Sequence, residues 1–276
     1  MTIPFVGASK DNIYAHFGYI FGANDSYHNN DYVPASLKKV VVTGGNIGSN
    51  AFRKCETLTS VVISDSVTSI GDYAFYMCIR LTSIEIPDSV TSIGERAFAE
   101  CSSLTSVEIP YDVTSIGIYA FSNCISLTSI DTPTISRGAF YGCSSLKNAI
   151  LGEKASRAMI GAFANCTELT TVEFKNPSPA FYESELFSGC TALINIYVPY
   201  GTSEAYKTEW AADGATQDIL NLIVESDRDA TMSDVDNLEL ELKDHVQQYV
   251  ETNISSLIEE YLASNLASYD EIISDS

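Results

Sequence analysis

Basic side chains and histidines are scarce in this chain of 276 residues. Fifteen Lys and Arg stand against 36 Asp and Glu, and the only histidines are His16, His28 and His245. A net charge of −21 argues against a nucleic-acid partner, because binding a phosphate backbone draws its free energy from cationic side chains that displace counterions. With so few imidazoles, the seven cysteines lack a base to activate them, and no Ser-His-Asp or Cys-His arrangement can be assembled in the regular part of the chain. No catalytic residue is therefore assigned. No CxxC pair occurs, so the usual zinc spacing is missing and no metal or other cofactor is expected. Apolar residues nowhere run for the roughly 20 positions that a bilayer crossing needs, so no membrane insertion is expected. The opening "MTIPFVGASKDNIYAHFGYIFG" lacks a basic stretch followed by an apolar one, and no secretory signal is expected in it.

What is present is a repeat. The cysteines fall at 55, 78, 101, 124, 143, 166 and 190, spaced by 23, 23, 23, 19, 23 and 24 residues. A phenylalanine stands three positions before each one, from Phe52 to Phe187, and a leucine three positions after, from Leu58 to Leu193. Self-similarity at such a period is the mark of a solenoid, whose units cannot bury their apolar faces alone. Within "LTSVEI", Val107 and Ile109 alternate with polar residues, which is the period of a half-buried strand. "IPDSV" and "IPYDV" supply turn chemistry, and "VTSIG" is a second short extended piece. Gly48, Gly71, Gly94 and Gly117, which end that piece, are expected at a corner with positive φ. "AFxxC" reads as one helical or 3₁₀ turn.

These "AFxxCxxLTxIxIPxxVTSIG" units resemble the BspA-like class of bacterial leucine-rich repeats over roughly residues 37 to 200. The resemblance implies a leucine-rich-repeat solenoid of about 23 residues per coil, with stacked parallel strands. It also implies a non-catalytic binding or adhesion scaffold, ordinarily at the cell surface.

Residues 1–36, rich in aromatics, are expected to cap the open end of the stack. Residues 37–224 form the solenoid, with a C-terminal cap over about 193–224 that includes a helix starting at a Ser203 N-cap signal and carrying Tyr206 and Trp210 inward. The fifth unit, "IDTPTISRGAF", omits one short strand and should make a tighter coil. Residues 225–276 carry 14 acidic and 2 basic side chains. They read as a linker and a helical tail with an apolar stripe of Leu238, Leu242, Val246, Val250, Ile254, Leu257 and Tyr261. Strict heptads counted from Val235 fail at His245, Thr252 and Glu259, so a regular coiled coil is not expected. Such a stripe wants a partner surface, and self-association or carrier docking through residues 233–268 is the expectation.

One cysteine per coil at one equivalent position predicts a buried ladder. Disulfides are disfavoured, since seven is odd and strands about 4.8 Å apart exceed the mean Cβ separation of about 3.8 Å in a bridge. The recurring "LTS" and "VTS" hydroxyls are then tied to coil position. If Val107 points inward, Glu108 points outward, and its equivalents include Glu85, Asp131, Glu173 and Tyr197. Three successive coils thus stack carboxylates at Glu85, Glu108 and Asp131, beside Tyr111. Like charges at this spacing repel, so the row is a candidate binding face for a protein or glycan, with a solvated acidic face as the plainer alternative. Two classes of function fit: a non-catalytic recognition or adhesion module, or a structural part of a larger assembly such as a phage fibre or decoration protein. The resemblance implies an extracellular, cell-surface location and the assembly reading a virion-associated one; the residues themselves assign neither.

Overall fold

The computed structural model describes residues 2–3, 29–155, 157–158, 160–179, 181–183 and 185–226. The chain opens with β1 (Thr2–Ile3) and α1 (Asn29–Tyr32), then enters the first coil at β2 (Lys39–Val42). The second coil contains β3 (Ser60–Ile63) and β4 (Ser69–Ile70), and the third β5 (Ser83–Glu85) and β6 (Ser92–Ile93). The fourth holds β7 (Ser106–Glu108) and β8 (Ser115–Ile116), whereas the fifth has β9 (Ser129–Thr132) alone. Next come β10 (Asn148–Leu151) with β11 (Arg157–Ala158), and β12 (Thr171–Phe174) with β13 (Phe181–Tyr182). The eighth coil begins with β14 (Asn195–Val198), followed by α2 (Ser203–Ala212), α3 (Gln217–Asn221) and β15 (Ile223–Glu225).

Among the described residues every strand pairing is parallel, and in the regular coils each residue lies beside its equivalent one coil away. The first side of the solenoid is a ladder in two parts, β1-β2-β3-β5-β7 and β9-β10-β12-β14-β15. From β2 to β14 the strands of this side alternate buried and outward residues, as in β5, where Ile84 is buried between exposed Ser83 and Glu85. The second side is the short sheet β4-β6-β8, with a separate β11-β13 pair further on. Between those pieces the fifth coil is tight, as its missing strand requires. Buried Thr132 donates its hydroxyl to Thr134 O at 2.6 Å inside that shortened turn.

The third side consists of the AFxxC segments. They make successive i→i+3 bonds, such as Arg53 N to Asn50 O and Cys55 N to Phe52 O, without a continuous helix. Alternate amides instead reach the next coil: Asn50 N donates to Asp72 O, Phe52 N to Ala74 O and Lys54 N to Tyr76 O. This alternation puts one residue on each side of the phenylalanine into the left-handed region. In the fourth coil those residues are Tyr119 and Asn123, each with φ 57°.

The expected positive φ at Gly48, Gly71, Gly94 and Gly117 is not found. Their column is glycine for another reason. A Cβ on Gly117 would lie 2.3 Å from Glu95 N and Gly94 C of the preceding coil, so backbone meets backbone there.

Inside, the phenylalanines form one stack. Phe52, Phe75, Phe98 and Phe121 follow at centroid spacings of 5.1 Å with interplanar angles of 6°. The spacing widens to 5.5, 5.6 and 6.0 Å towards Phe187, which meets Trp210 of α2 at 6.5 Å. Trp210 and Tyr206 are fully buried and close this end, Tyr206 donating its hydroxyl to Asn176 O at 2.7 Å. The N-cap of α2 is Thr202 and not Ser203, which is the first helical residue. Ser203 instead gives its hydroxyl to Glu225 Oε1 at 2.7 Å, tying the helix start to β15. At the other end β1 adds a strand beside β2, and Tyr32, expected in a cap, is 43% exposed.

Candidate functional site

Glu85 and Glu108 lie directly opposite each other on β5 and β7, both exposed, beside a shallow recess of 300 Å³ that also takes in Ser83 and Ser106. Asp131 on β9 is exposed too, but the pairing ladder is interrupted between β7 and β9. None of these three carboxylates forms an ion pair among the described residues. The row does not extend further as a run of unpaired charge. Glu173 accepts from Lys175 Nζ, and the half-buried Tyr197 has its hydroxyl bonded by Asn195 Nδ2 at 3.1 Å. Tyr111 is 63% exposed, yet Lys154 lies 4.2 Å from its ring centroid and donates to its carbonyl oxygen. The apolar stripe from Leu238 to Tyr261 lies outside the described residues, as do all three histidines.

The thiols are buried in the stack, apart from half-buried Cys190. Each from Cys78 onward donates to the carbonyl of the ladder phenylalanine one coil earlier than its own, as Cys101 Sγ does to Phe75 O at 3.2 Å. Burial pushes every one of these thiols up, Cys190 to about 11 and the others further, which disables them as nucleophiles near neutral pH. The threonine rows are spent on the architecture as well. Thr82, Thr105 and Thr128 each direct Oγ1 to the backbone carbonyl of the equivalent threonine one coil back.

The turn side holds what sequence reasoning missed. Arg53 lies 5.3 Å from the ring centroid of Tyr73; Arg96 lies 5.9 Å from the same ring and 5.4 Å from that of Tyr119. Tyr119 in turn meets Tyr141 edge-on at 6.1 Å. Carboxylates hold the tyrosine hydroxyls: Tyr73 donates to Glu95 Oε1 at 3.0 Å and Tyr76 to Glu100 Oε1 at 2.8 Å. Burial, then the bond to the carboxylate, raises the pKa of both phenols. The signal was present in the columns flanking each phenylalanine, where Asn50, Tyr73, Arg96 and Tyr119 succeed one another, but they vary from coil to coil and so stand apart from the repeat.

Residues 45–135 and 131–211, together more than half of the chain, match the BspA type leucine rich repeat region in six copies. The chain belongs to the BspA-type leucine-rich repeat family. Membership suggests a non-catalytic protein-interaction or surface module. Among solved structures, the leucine rich repeat protein of T. pallidum is 23% identical, the match covering 67% of this chain and 86% of that one at a TM-score of 0.49. The pneumococcal vaccine antigen PcpA is 16% identical over 70% of this chain and 60% of its own, at 0.47. A leucine rich cell surface protein from Faecalibacterium prausnitzii is 22% identical over 73% and 76%, at 0.33. No curated protein matches. Among the described residues, no helix is long and apolar enough to cross a membrane.

Proposed function

We propose that this BspA-type chain is a non-catalytic recognition module that binds a protein or glycan through its solenoid surface, with residues 233–268 providing self-association or docking to a carrier. The observation that carries the reading is the unpaired carboxylate row of Glu85, Glu108 and Asp131 on the first side. Coil packing does not call for acid at that position, since Val41, Val62 and Ile150 occupy it in other coils. A basic segment of a partner protein supplies the missing countercharge, and the association then weakens as salt screens it.

Binding of the full chain to an immobilised decalysine peptide, at low and high salt, tests this. The variant E85Q/E108Q/D131N should bind at least tenfold more weakly than D65N/D88N/D112N, which removes the same charge from exposed turns outside the row. Equal binding by the two variants would remove the row from the reading and leave only bulk charge.

A further inference from the structure

On the turn side, away from the carboxylate row, lies a cavity of 210 Å³. The position after each ladder phenylalanine reads Tyr76, Ala99, Ser122, Tyr141 in successive coils: ring, methyl, hydroxymethyl, ring. Ala99 and Ser122 are both buried, and these two small residues line the cavity together with the two tyrosines. Four residues two positions before or after the ladder phenylalanines complete the lining: Arg96, Glu100, Tyr119 and Asn123. All four are non-glycine residues with positive φ, from 49° to 61°. The same conformation recurs at this corner in the other coils, where inter-coil bonds impose it, and here it fixes the direction of the four side chains.

The following coil is cut to fit. Gly138 and Gly142 occupy the same two positions there. A Cβ on Gly138 would lie 2.2 Å from Tyr119 Cε1, and one on Gly142 would lie 2.3 Å from Asn123 Oδ1. The glycines vacate the space that the Tyr119 ring and the Asn123 amide fill. The two charged groups are also held in place: Arg96 by the rings of Tyr73 and Tyr119, and Glu100 by the Tyr76 hydroxyl.

We propose that this cavity binds a single pyranose residue of a glycan. A sugar ring has an apolar C–H face for a tyrosine and hydroxyls that both donate and accept. The lining offers Tyr119 and Tyr141 for the first. For the second it offers a guanidinium donor, a carboxylate acceptor and an amide that does both. Its formal charges, Arg96 against Glu100, cancel, as suits a neutral ligand. The volume of 210 Å³ falls below the roughly 300 Å³ at which drug-sized pockets begin and is of the size of one ring. An apolar side chain from a protein would cover Arg96, Glu100 and Asn123 without adding a hydrogen bond to any of them, at a desolvation cost, and Ala99 is the only aliphatic residue in the lining. The proposal rests on the chain being a recognition module but not on the carboxylate row.

A glycan array probed with the full chain tests it, alongside saturation-transfer NMR with methyl glycopyranosides. Ala99→Tyr extends the tyrosine column and fills the cavity; Tyr119→Ala removes a wall. Retained circular dichroism and melting temperature show which variant folds, and Ser122→Tyr replaces Ala99→Tyr if that one does not. Array signal should fall at least tenfold in the folded variants and stay unchanged in E85Q/E108Q/D131N. A blank array for the unaltered chain, or signal that survives both folded variants, overturns the proposal. Signal lost only in E85Q/E108Q/D131N moves recognition to the first side and removes the cavity alone. A blank array, together with decalysine binding indifferent to the row, removes the recognition reading with it. Loss of a purified protein partner in Ala99→Tyr, with the array blank, reassigns the cavity to a peptide side chain and overturns the glycan assignment.

Discussion

Coils two to four and coils five to seven share the same Phe, Cys and Leu columns, yet they resolve the same corner in different ways. In the first group the left-handed positions carry Tyr73, Met77, Arg96, Glu100, Tyr119 and Asn123. In the second, Gly138, Gly142, Gly161 and Gly189 take four of the six equivalent places. An L-residue there costs about 1–2 kcal/mol, so the backbone of this corner is imposed by inter-coil bonds such as Phe75 N to Ala97 O and not chosen by the residue. An exposed cation–π contact returns about 0.5–1 kcal/mol; Arg96 makes two and roughly breaks even. The early coils thus accept strain to carry side chains at all six places, whereas the later ones relax it at four and keep it only at Asn165 and Glu185. The stack follows suit, with rings 5.1 Å apart early and up to 6.0 Å late.

Alkaline unfolding should show the largest effect, and it should set Cys190 apart from the deeper thiols of both groups. A thiol whose pKa is raised by folding stabilises the fold fully below its unfolded pKa, near 9.0, and that contribution is lost as pH rises through the folded value. Each thiol held neutral then removes about 1.4 kcal/mol of stability per pH unit above 9. Cys190, held at about 11, should stop contributing beyond that point, while the deeper thiols continue. Denaturant titrations between pH 8 and 11 measure the slope, and Cys101→Ala should lower it by one proton. A slope unchanged by that substitution would mean that the core admits water.

Two kinds of glycine separate next. Gly117→Ala forces a Cβ to 2.3 Å from backbone, and overpacking of this sort costs about 1–3 kcal/mol or more. Gly161→Ala meets nothing nearer than Ala164 Cβ at 3.7 Å, so it bears only the strain of φ +59°, about 1–2 kcal/mol. Equilibrium unfolding of both variants should rank Gly117→Ala as the more damaged. The reverse order would show that left-handed backbone, and not coil-to-coil approach, governs the corners.

That distinction marks how far the sequence could be read. Period, strand faces, the cysteine ladder and the inward Tyr206 and Trp210 were legible because each follows from apolar spacing that recurs or ends abruptly. The role of Gly71, Gly94 and Gly117 was misread because a glycine required for close approach looks the same as one required for positive φ; only the neighbouring coil distinguishes them. Left-handed Tyr73, Arg96 and Tyr119 gave no sign, since their residue types argue against the conformation that stacking imposes. Of the first-side row, Glu85, Glu108 and Asp131 are placed outward as alternation required. The Lys154 contact to Tyr111 depends on side-chain reach across coils, and the Glu173–Lys175 pair on the rotamers of two neighbouring side chains of one coil; the repeat spacing encodes neither.

The smallest effect is expected at the last strand, where the closing helix is fastened by one carboxylate. Bonds from the Ser203 hydroxyl and then the Gly201 amide hold Glu225 below its usual pKa of 4.5. A carboxylate lowered by folding stabilises the fold above its unfolded pKa, and that contribution disappears as pH falls through the folded value. The end of the stack should therefore loosen below about pH 4.5, before the phenylalanine ladder does. Hydrogen exchange in α2 should accelerate over that range, and Glu225→Gln should bring the faster exchange to neutral pH while leaving β5 and β7 as protected as before. Acceleration in all of these strands together would show that the closing helix and the regular coils unfold as one unit, and the contrast between the two halves of the solenoid would then be one of geometry without a counterpart in stability.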